Sequence, residues 1–106
     1  MLIVSGTMRM APEVMPDFLA AAAEVSRATR LEAGCLAYHF SADELEEGLA
    51  HVYEQWTDKA ALDAHLQLEH VTTFRRALTG LGERTSDVAM YEATELGRPE
   101  VPPLQG

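Results

Sequence analysis

Apolar and polar residues alternate along four stretches of this chain, and the alternation predicts β-strands. In the first stretch, period 2 places Leu2, Val4, Met8 and Met10 on one face. The predicted strands span residues 2–10, 35–41, 49–56 and 86–92. Together they predict an open four-stranded sheet, one face of which is covered by helices.

The same alternation assigns the side chains of the middle strands to the two faces of the sheet. One face of the second strand carries Leu36, Tyr38 and Phe40, and one face of the third carries Ala50, Val52, Glu54 and Trp56. The second face of the sheet is predicted to carry His39, His51, Tyr53, Gln55 and Tyr91. This mixture of polar and aromatic groups suits a protein partner better than open water.

Apolar residues spaced three and four apart predict helices between the strands. The first helix begins near Pro12, ends before Gly34 and carries an apolar stripe of Met15, Phe18, Ala22 and Val25. The second is capped by Thr57 or Asp58 and is predicted to present Leu62, His65, Leu66 and Glu69 on one face. The resulting order, βαββαβ, is the split βαβ pattern of an α+β domain.

Two histidines follow the third strand at a spacing that does not suit a continuous helix. His70 comes five residues after His65, which places it about 140° further round an ideal helix. The two rings can face one site only if the helix bends or breaks between them. A separate short helical segment over residues 71–78 fits such a break.

Length and charge limit the classes of function. A chain of 106 residues is one domain by size, and we predict that it comprises residues 1–96 followed by a flexible C-terminal tail, 97–106. With 17 acidic and 8 basic residues, the formal charge is −9, which argues against binding to nucleic acid or to an anionic membrane surface. The single Cys35 excludes an intramolecular disulfide.

The apolar start of the chain does not have the features of a targeting signal. Residues 1–4 are too few for a signal peptide and lack a basic start. No stretch approaches the length of a membrane span. We therefore expect a cytoplasmic protein.

Reactive side chains concentrate where the third strand meets the next helix. Glu54 and Trp56, the only tryptophan, share a strand face, and His65 follows on the helix. A histidine that shares its helical face with Leu62 and Leu66 is expected to be partly buried, so a structural hydrogen-bonded role and a catalytic role both stay open. The four histidines show neither HxH nor HxxxH spacing and no cysteine pair exists, so we predict no metal site.

Three motifs, in this order along the chain, give it a resemblance to a known family. They are residues 32–38 (EAGCLAY), residues 53–62 (YEQWTDKAAL), and His65 and His70 followed by Phe74. The chain resembles the antibiotic biosynthesis monooxygenase family, which includes quinol monooxygenases, over roughly residues 2–95. The resemblance implies a ferredoxin-like fold and a homodimer in which two sheets pair into a dimeric α+β barrel. It also implies oxidation of electron-rich phenols, quinols or anthrones with O2, without metal or flavin.

The resemblance leads us to expect a cofactor-independent monooxygenase that oxidises a quinol, an anthrone or a related polycyclic phenol. His65 or His70 would accept the substrate proton, and Trp56 would form a pocket wall. Tyr38, Glu54 and Phe74 would bind and position a small aromatic substrate. Relatives that degrade haem use an asparagine in the first strand; here the polar residues of that strand are Ser5, Thr7 and Arg9, so we do not expect haem.

Two alternatives remain open from the sequence. One is a non-catalytic dimeric module that binds a small hydrophobic ligand or has a structural role. The other is a haem-binding relative. Because one fold supports many activities, the fold does not decide between them.

Overall fold

A computed structural model describes residues 1–105 and shows a four-stranded sheet with helices packed on one face. The strands are β1 (Leu2–Met10), β2 (Cys35–Ala42), β3 (Leu49–Trp56) and β4 (Arg84–Glu92). The helices are α1 (Met15–Thr29), α2 (Lys59–His65) and α3 (Glu69–Thr79), and a single 3₁₀ turn, Pro12–Val14, precedes α1. The sheet order is β2-β3-β1-β4 and every neighbouring pair is antiparallel. The predicted ferredoxin-like α+β fold is confirmed.

The core lies between the helices and the inward faces of β1 and β3. Leu2, Val4, Met8 and Met10 are all buried, as the period-2 pattern of β1 predicts. The buried face of α1 carries Phe18, Ala22 and Val25, and that of α3 carries Val71, Phe74 and Leu78. Burial of these apolar side chains is the main stabilising contribution in a sheet with helices on one face.

A β-bulge at the start of β2 overturns one predicted face assignment. The register between β2 and β3 shifts between Cys35 and Ala37, because one extra residue is inserted there. Tyr38 is buried as predicted, whereas Leu36 is 55% exposed. The prediction that Leu36 shares the inner face with Tyr38 and Phe40 was therefore wrong, since strict alternation does not hold across a bulge.

The helix after β3 is shorter than its apolar pattern suggests. Asp58 caps α2, accepting a hydrogen bond from the Ala61 N–H at 2.9 Å, and α2 ends at His65. Leu62 and His65 are buried as expected, but Leu66 is half exposed and Glu69 is exposed. The prediction that all four share one helical face was wrong, because the helix ends before the third of them.

Strand β4 forms one edge of the sheet and is exposed along its whole length. On the second face of the sheet, the Tyr53 hydroxyl donates to Gln55 at 3.1 Å. Pairing of two chains through this face stays a prediction, as does the division at residue 96. Within residues 1–105, no helix is both long and apolar enough to cross a membrane.

Candidate active site

A break between two helices brings His65 and His70 together. Helix α2 ends at His65, Leu68 adopts an extended conformation, and α3 starts at Glu69. The chain therefore changes direction between the two histidines, and their ring centroids lie 6.1 Å apart. The predicted break is present, and the two rings converge.

Glu32, in the loop between α1 and β2, joins the two histidines. Its Oε2 lies 2.8 Å from Nδ1 of His65 and 2.6 Å from Nε2 of His70. An ionised carboxylate only accepts hydrogen bonds, so neutral rings donate from these two nitrogens. The lone pairs then remain on Nε2 of His65 and Nδ1 of His70. We call Glu32, His65 and His70 the histidine–glutamate cluster.

The three members of the cluster differ in their access to solvent. The side chain of His65 is 3% exposed, that of Glu32 is 12% exposed and that of His70 is 28% exposed. His70 is therefore the member that a molecule from solvent reaches first. The cluster extends from the surface at His70 to the interior at His65.

Gly34 sets the position of the Glu32 loop. Its φ of 84° lies in the left-handed region, which glycine adopts without strain. A Cβ at this position would lie 2.7 Å from the Ala61 Cβ and 2.8 Å from the Thr57 Oγ1. The Thr57 N–H also donates to the Gly34 carbonyl at 2.9 Å. Only a glycine lets the loop pack this closely against the start of α2.

Trp56 and Glu54 form the inner wall of the site. Both point inward from β3, and the fully buried Trp56 donates from Nε1 to Glu54 Oε1 at 3.0 Å. The Trp56 indole lies 4.7 Å from the His65 ring, centroid to centroid. The Tyr38 ring is 5.3 Å from His65 and 6.4 Å from Trp56. Five of the six predicted site residues thus form one contiguous group: Tyr38, Glu54, Trp56, His65 and His70.

Burial governs the electrostatics of this group. Burial raises the pKa of Glu54 above its ordinary value; the Trp56 hydrogen bond and the nearby His65 oppose this rise, and Glu32 adds to it. The pKa of Tyr38 is also raised, first by burial and then by the charge of Glu54. Burial, followed by the charges of Glu32 and Glu54, raises the pKa of Cys35. Burial and the two carboxylates together therefore favour the neutral forms of Tyr38 and Cys35.

Phe74 follows His70 by one helical turn on α3, and its side chain is buried in the core. It packs against Phe18 and Phe40, with ring centroids at 6.3 and 5.3 Å. His70 and Phe74 together line a groove of about 420 Å³ between α1 and α3. Its other walls are Ala21, Glu24, Val25, Ala28, Thr73 and Ala77. The groove is therefore largely apolar and has an imidazole in its wall.

Sequence reasoning missed Glu32 as a site residue. It lies 33 residues before His65 and 38 before His70, so no local pattern links the three. The available signal was its place at the head of the motif over residues 32–38. The donor atoms of the three side chains lie within 4.8 Å of one another, a set that could hold a metal ion. The prediction of no metal site rested on the spacing of histidines along the sequence, and such spacing does not reveal ligands that come from separate elements.

The fold and the buried group of imidazoles, carboxylates and indole define a class: a ferredoxin-like α+β protein with a polar cluster beneath its helices. The family model for antibiotic biosynthesis monooxygenase matches residues 1–77. The chain belongs to this family.

Individual relatives agree with this assignment. A candidate antibiotic biosynthesis monooxygenase from Deinococcus radiodurans is 32% identical, with 94% of this chain and 99% of that chain covered and a TM-score of 0.84. An uncharacterized Synechocystis protein is 28% identical over 94 residues, which are 89% of this chain and 64% of that protein's length. SnoaB of Streptomyces nogalater, a cofactor-independent oxygenase, shares the fold at 17% identity, with 89% of this chain and 93% of that chain covered and a TM-score of 0.74.

Proposed function

We propose that this protein is a cofactor-independent monooxygenase that oxidises a quinol, an anthrone or a related polycyclic phenol with O2. The observation that carries the proposal is the histidine–glutamate cluster: two imidazoles held by one carboxylate, beside an apolar groove. Family membership supports the reaction type, and SnoaB shows that a protein of this fold can oxygenate without a cofactor.

His70 is the general base of the proposed reaction. Its side chain is the most exposed of the cluster and lines the groove, and its Nδ1 has a free lone pair when Nε2–H donates to Glu32. A phenol held in the groove transfers its proton to this nitrogen. Glu32 then stabilises the imidazolium through the existing hydrogen bond, as a carboxylate does for a catalytic histidine.

Deprotonation makes the substrate electron-rich enough to reduce O2. The anion passes one electron to O2, and the two radicals combine to form a carbon–oxygen bond. In an anthrone, the reacting CH2 group becomes a carbonyl and the second oxygen atom leaves as water with the two hydrogens. The O2 molecule is the only oxidant, so the balance requires no external reductant.

The groove matches a flat apolar substrate in size and lining. Its volume of about 420 Å³ lies within the range of small-molecule sites, roughly 300–1,000 Å³. Three of its wall residues are alanines, Ala21, Ala28 and Ala77, which leave room for a ring system between the helices. Phe74 offers an aromatic surface next to the base. Trp56, Tyr38 and Glu54 support the cluster from the interior.

Oxygen uptake by purified, metal-stripped protein tests the proposal. The substrates are a panel of reduced quinones and anthrones, and each rate is compared with its autoxidation blank. We expect uptake with at least one substrate, reduced about 10²–10⁴-fold in His70→Ala because a general base contributes that much. A flat trace across the panel from folded protein, or full activity in His70→Ala, would contradict the proposal.

His51→Ala is the matched control. His51 is an exposed imidazole that pairs with the carboxylate of Asp43 at 2.7 Å, away from the groove. Its removal changes the histidine content and one histidine–carboxylate pair, but leaves the cluster intact. We expect oxygen uptake by His51→Ala to equal that of the unmodified protein.

The deep burial of Trp56 and His65 favours a second candidate, a non-catalytic ligand-binding module. In this case the cluster is a structural element, and a hydrophobic ligand in the groove changes Trp56 fluorescence without turnover. Ligand-dependent fluorescence together with a flat oxygen trace would select this candidate. A Soret band on titration with haem would instead select a haem-binding protein.

A further inference from the structure

We propose that the histidine–glutamate cluster is a binding site for a divalent first-row transition ion such as Zn²⁺ or Co²⁺. The proposed ligands are the side chains of Glu32, His65 and His70. The atoms that already face one another are Glu32 Oε2, His65 Nδ1 and His70 Nε2. The proposal concerns metal affinity and stands whether or not the protein is an oxygenase. It assigns the cluster a ligand that the proposed reaction does not require.

The donor set fits this class of ion. Two imidazoles and one carboxylate are the protein ligands of several catalytic zinc sites and of non-haem iron sites that keep open positions. Imidazole nitrogen favours Zn²⁺, Co²⁺ and Fe²⁺ over Mg²⁺ and Ca²⁺, which prefer sets made of oxygen. With three protein ligands, at least one coordination position remains for water or for a small ligand. Through the exposed part of His70, that position can be reached from solvent.

The distances require only local adjustment of the side chains. An ion at 2.0–2.1 Å from tetrahedral ligands separates them by about 3.3 Å. The carboxylate oxygen now lies 2.6 and 2.8 Å from the two nitrogens, so each of these separations must open by about 0.5–0.7 Å. The two histidines offer ligand nitrogens no more than 4.8 Å apart, a separation that must close by up to about 1.5 Å. His70, at the start of α3 and partly exposed, has the freedom to supply this movement.

The remainder of the site holds the other two ligands in place. His65 is packed between the Trp56 and Tyr38 rings, at centroid distances of 4.7 and 5.3 Å. The loop that carries Glu32 is fixed by the tight turn at Gly34, whose carbonyl accepts a hydrogen bond from the Thr57 N–H. Ligands oriented by their surroundings lose less entropy when they bind an ion. The carboxylate also supplies a negative charge where the cation would lie.

Metal binding and the proposed base chemistry exclude each other. If Nε2 of His70 coordinates an ion, the ring proton must reside on Nδ1, which then has no lone pair to accept a substrate proton. This consequence rests on the proposed function. We therefore expect one equivalent of Zn²⁺ to inhibit oxygen uptake and a chelator to restore it.

Titration of the chelator-treated protein with Co²⁺ tests the site without any substrate. A four-coordinate Co²⁺ ion with nitrogen ligands gives visible absorption that is much stronger than that of the aqueous ion, and Zn²⁺ should displace it. We expect one Co²⁺ per chain. Losing a residue that only hydrogen-bonds to a metal ligand typically lowers metal affinity about 10–100-fold. His70→Ala and Glu32→Gln each lose a direct ligand, so we expect their Co²⁺ affinity to fall by more than this.

His51→Ala is again the control, since it removes an imidazole that also has a carboxylate neighbour. Its Co²⁺ affinity should equal that of the unmodified chain. Circular dichroism establishes that each variant is folded, and partly exposed His70 is the ligand least important for packing. The proposal is overturned if the unmodified protein shows no Co²⁺ spectrum, if His70→Ala and Glu32→Gln bind as tightly as it does, or if His51→Ala abolishes binding. A spectrum without oxygen uptake would leave the metal site standing and remove only the proposed reaction.

Discussion

Replacement of Gly34 by alanine tests how tightly the Glu32 loop packs against α2. The new alanine destabilises the folded chain in two ways. It must adopt a left-handed backbone at φ 84°, and its Cβ would lie 2.7 Å from the Ala61 Cβ and 2.8 Å from the Thr57 Oγ1. The backbone penalty is about 1–2 kcal/mol for a residue with a Cβ. Overpacking of this kind adds about 1–3 kcal/mol. We therefore expect Gly34→Ala to lower the free energy of unfolding by about 2–5 kcal/mol.

Urea denaturation, followed by circular dichroism, measures this loss. Gly82→Ala provides the matched control, because Gly82 has a φ of 91° and a Cβ there would meet nothing within 4 Å. It should show the backbone penalty alone. The difference between the two variants is then the steric part.

A double variant separates the contact with Ala61 from the rest. Ala61→Gly removes the nearest atom, so Gly34→Ala should cost less in the Ala61→Gly background than in the unmodified chain. If Gly34→Ala costs no more than Gly82→Ala, or the same in both backgrounds, the close packing of the loop on α2 would be refuted.

Two further changes probe the interior carboxylate and the cap of α2. Glu54→Gln keeps an acceptor for the Trp56 N–H and removes the buried charge. Because burial raises the pKa of Glu54, the unmodified protein should lose stability as the pH rises from 4.5 through the folded-state pKa. Urea titrations at pH 4.5 and 7 should show that the free energy of unfolding falls less between these pH values in Glu54→Gln than in the unmodified protein. An equal or larger fall in Glu54→Gln would contradict a raised pKa of Glu54. Asp58→Ala removes the acceptor for the Ala61 N–H and should cost about 1 kcal/mol by the same assay, whereas Asp63→Ala, on the exposed face of α2, should cost less.

Local patterns were sufficient to predict the fold. Alternation predicted the bounds of β1 and β3 as the structure has them. The predicted β2 ends one residue too early, and the predicted β4 begins two residues too late. Strands β1, β2 and β3 bury one face against a common core, and that is the feature that period 2 records, whereas β4 is exposed along its whole length. The bulge at Cys35 was not predicted, because an extra residue leaves no mark in the hydrophobic pattern.

The site was predicted only in part, for a different physical reason. Trp56, Glu54 and His65 belong to adjoining elements, so their proximity follows from the chain itself. The role of Glu32 depends on the register of β2 against β3 and on the turn at Gly34, which bring distant segments together. Such contacts are set by tertiary packing, and periodicity carries no information about them.

The pairing of Cys35 with Trp56 in the β2–β3 hairpin has a consequence for how the chain folds. Until that hairpin closes, Glu32 is separated from both imidazoles by more than thirty residues of flexible chain. Once it has closed, the remaining search is short, since the ends of the segment already lie side by side. The histidine–glutamate cluster therefore depends on closure of this hairpin, and a chain in which the hairpin is open lacks the assembled cluster.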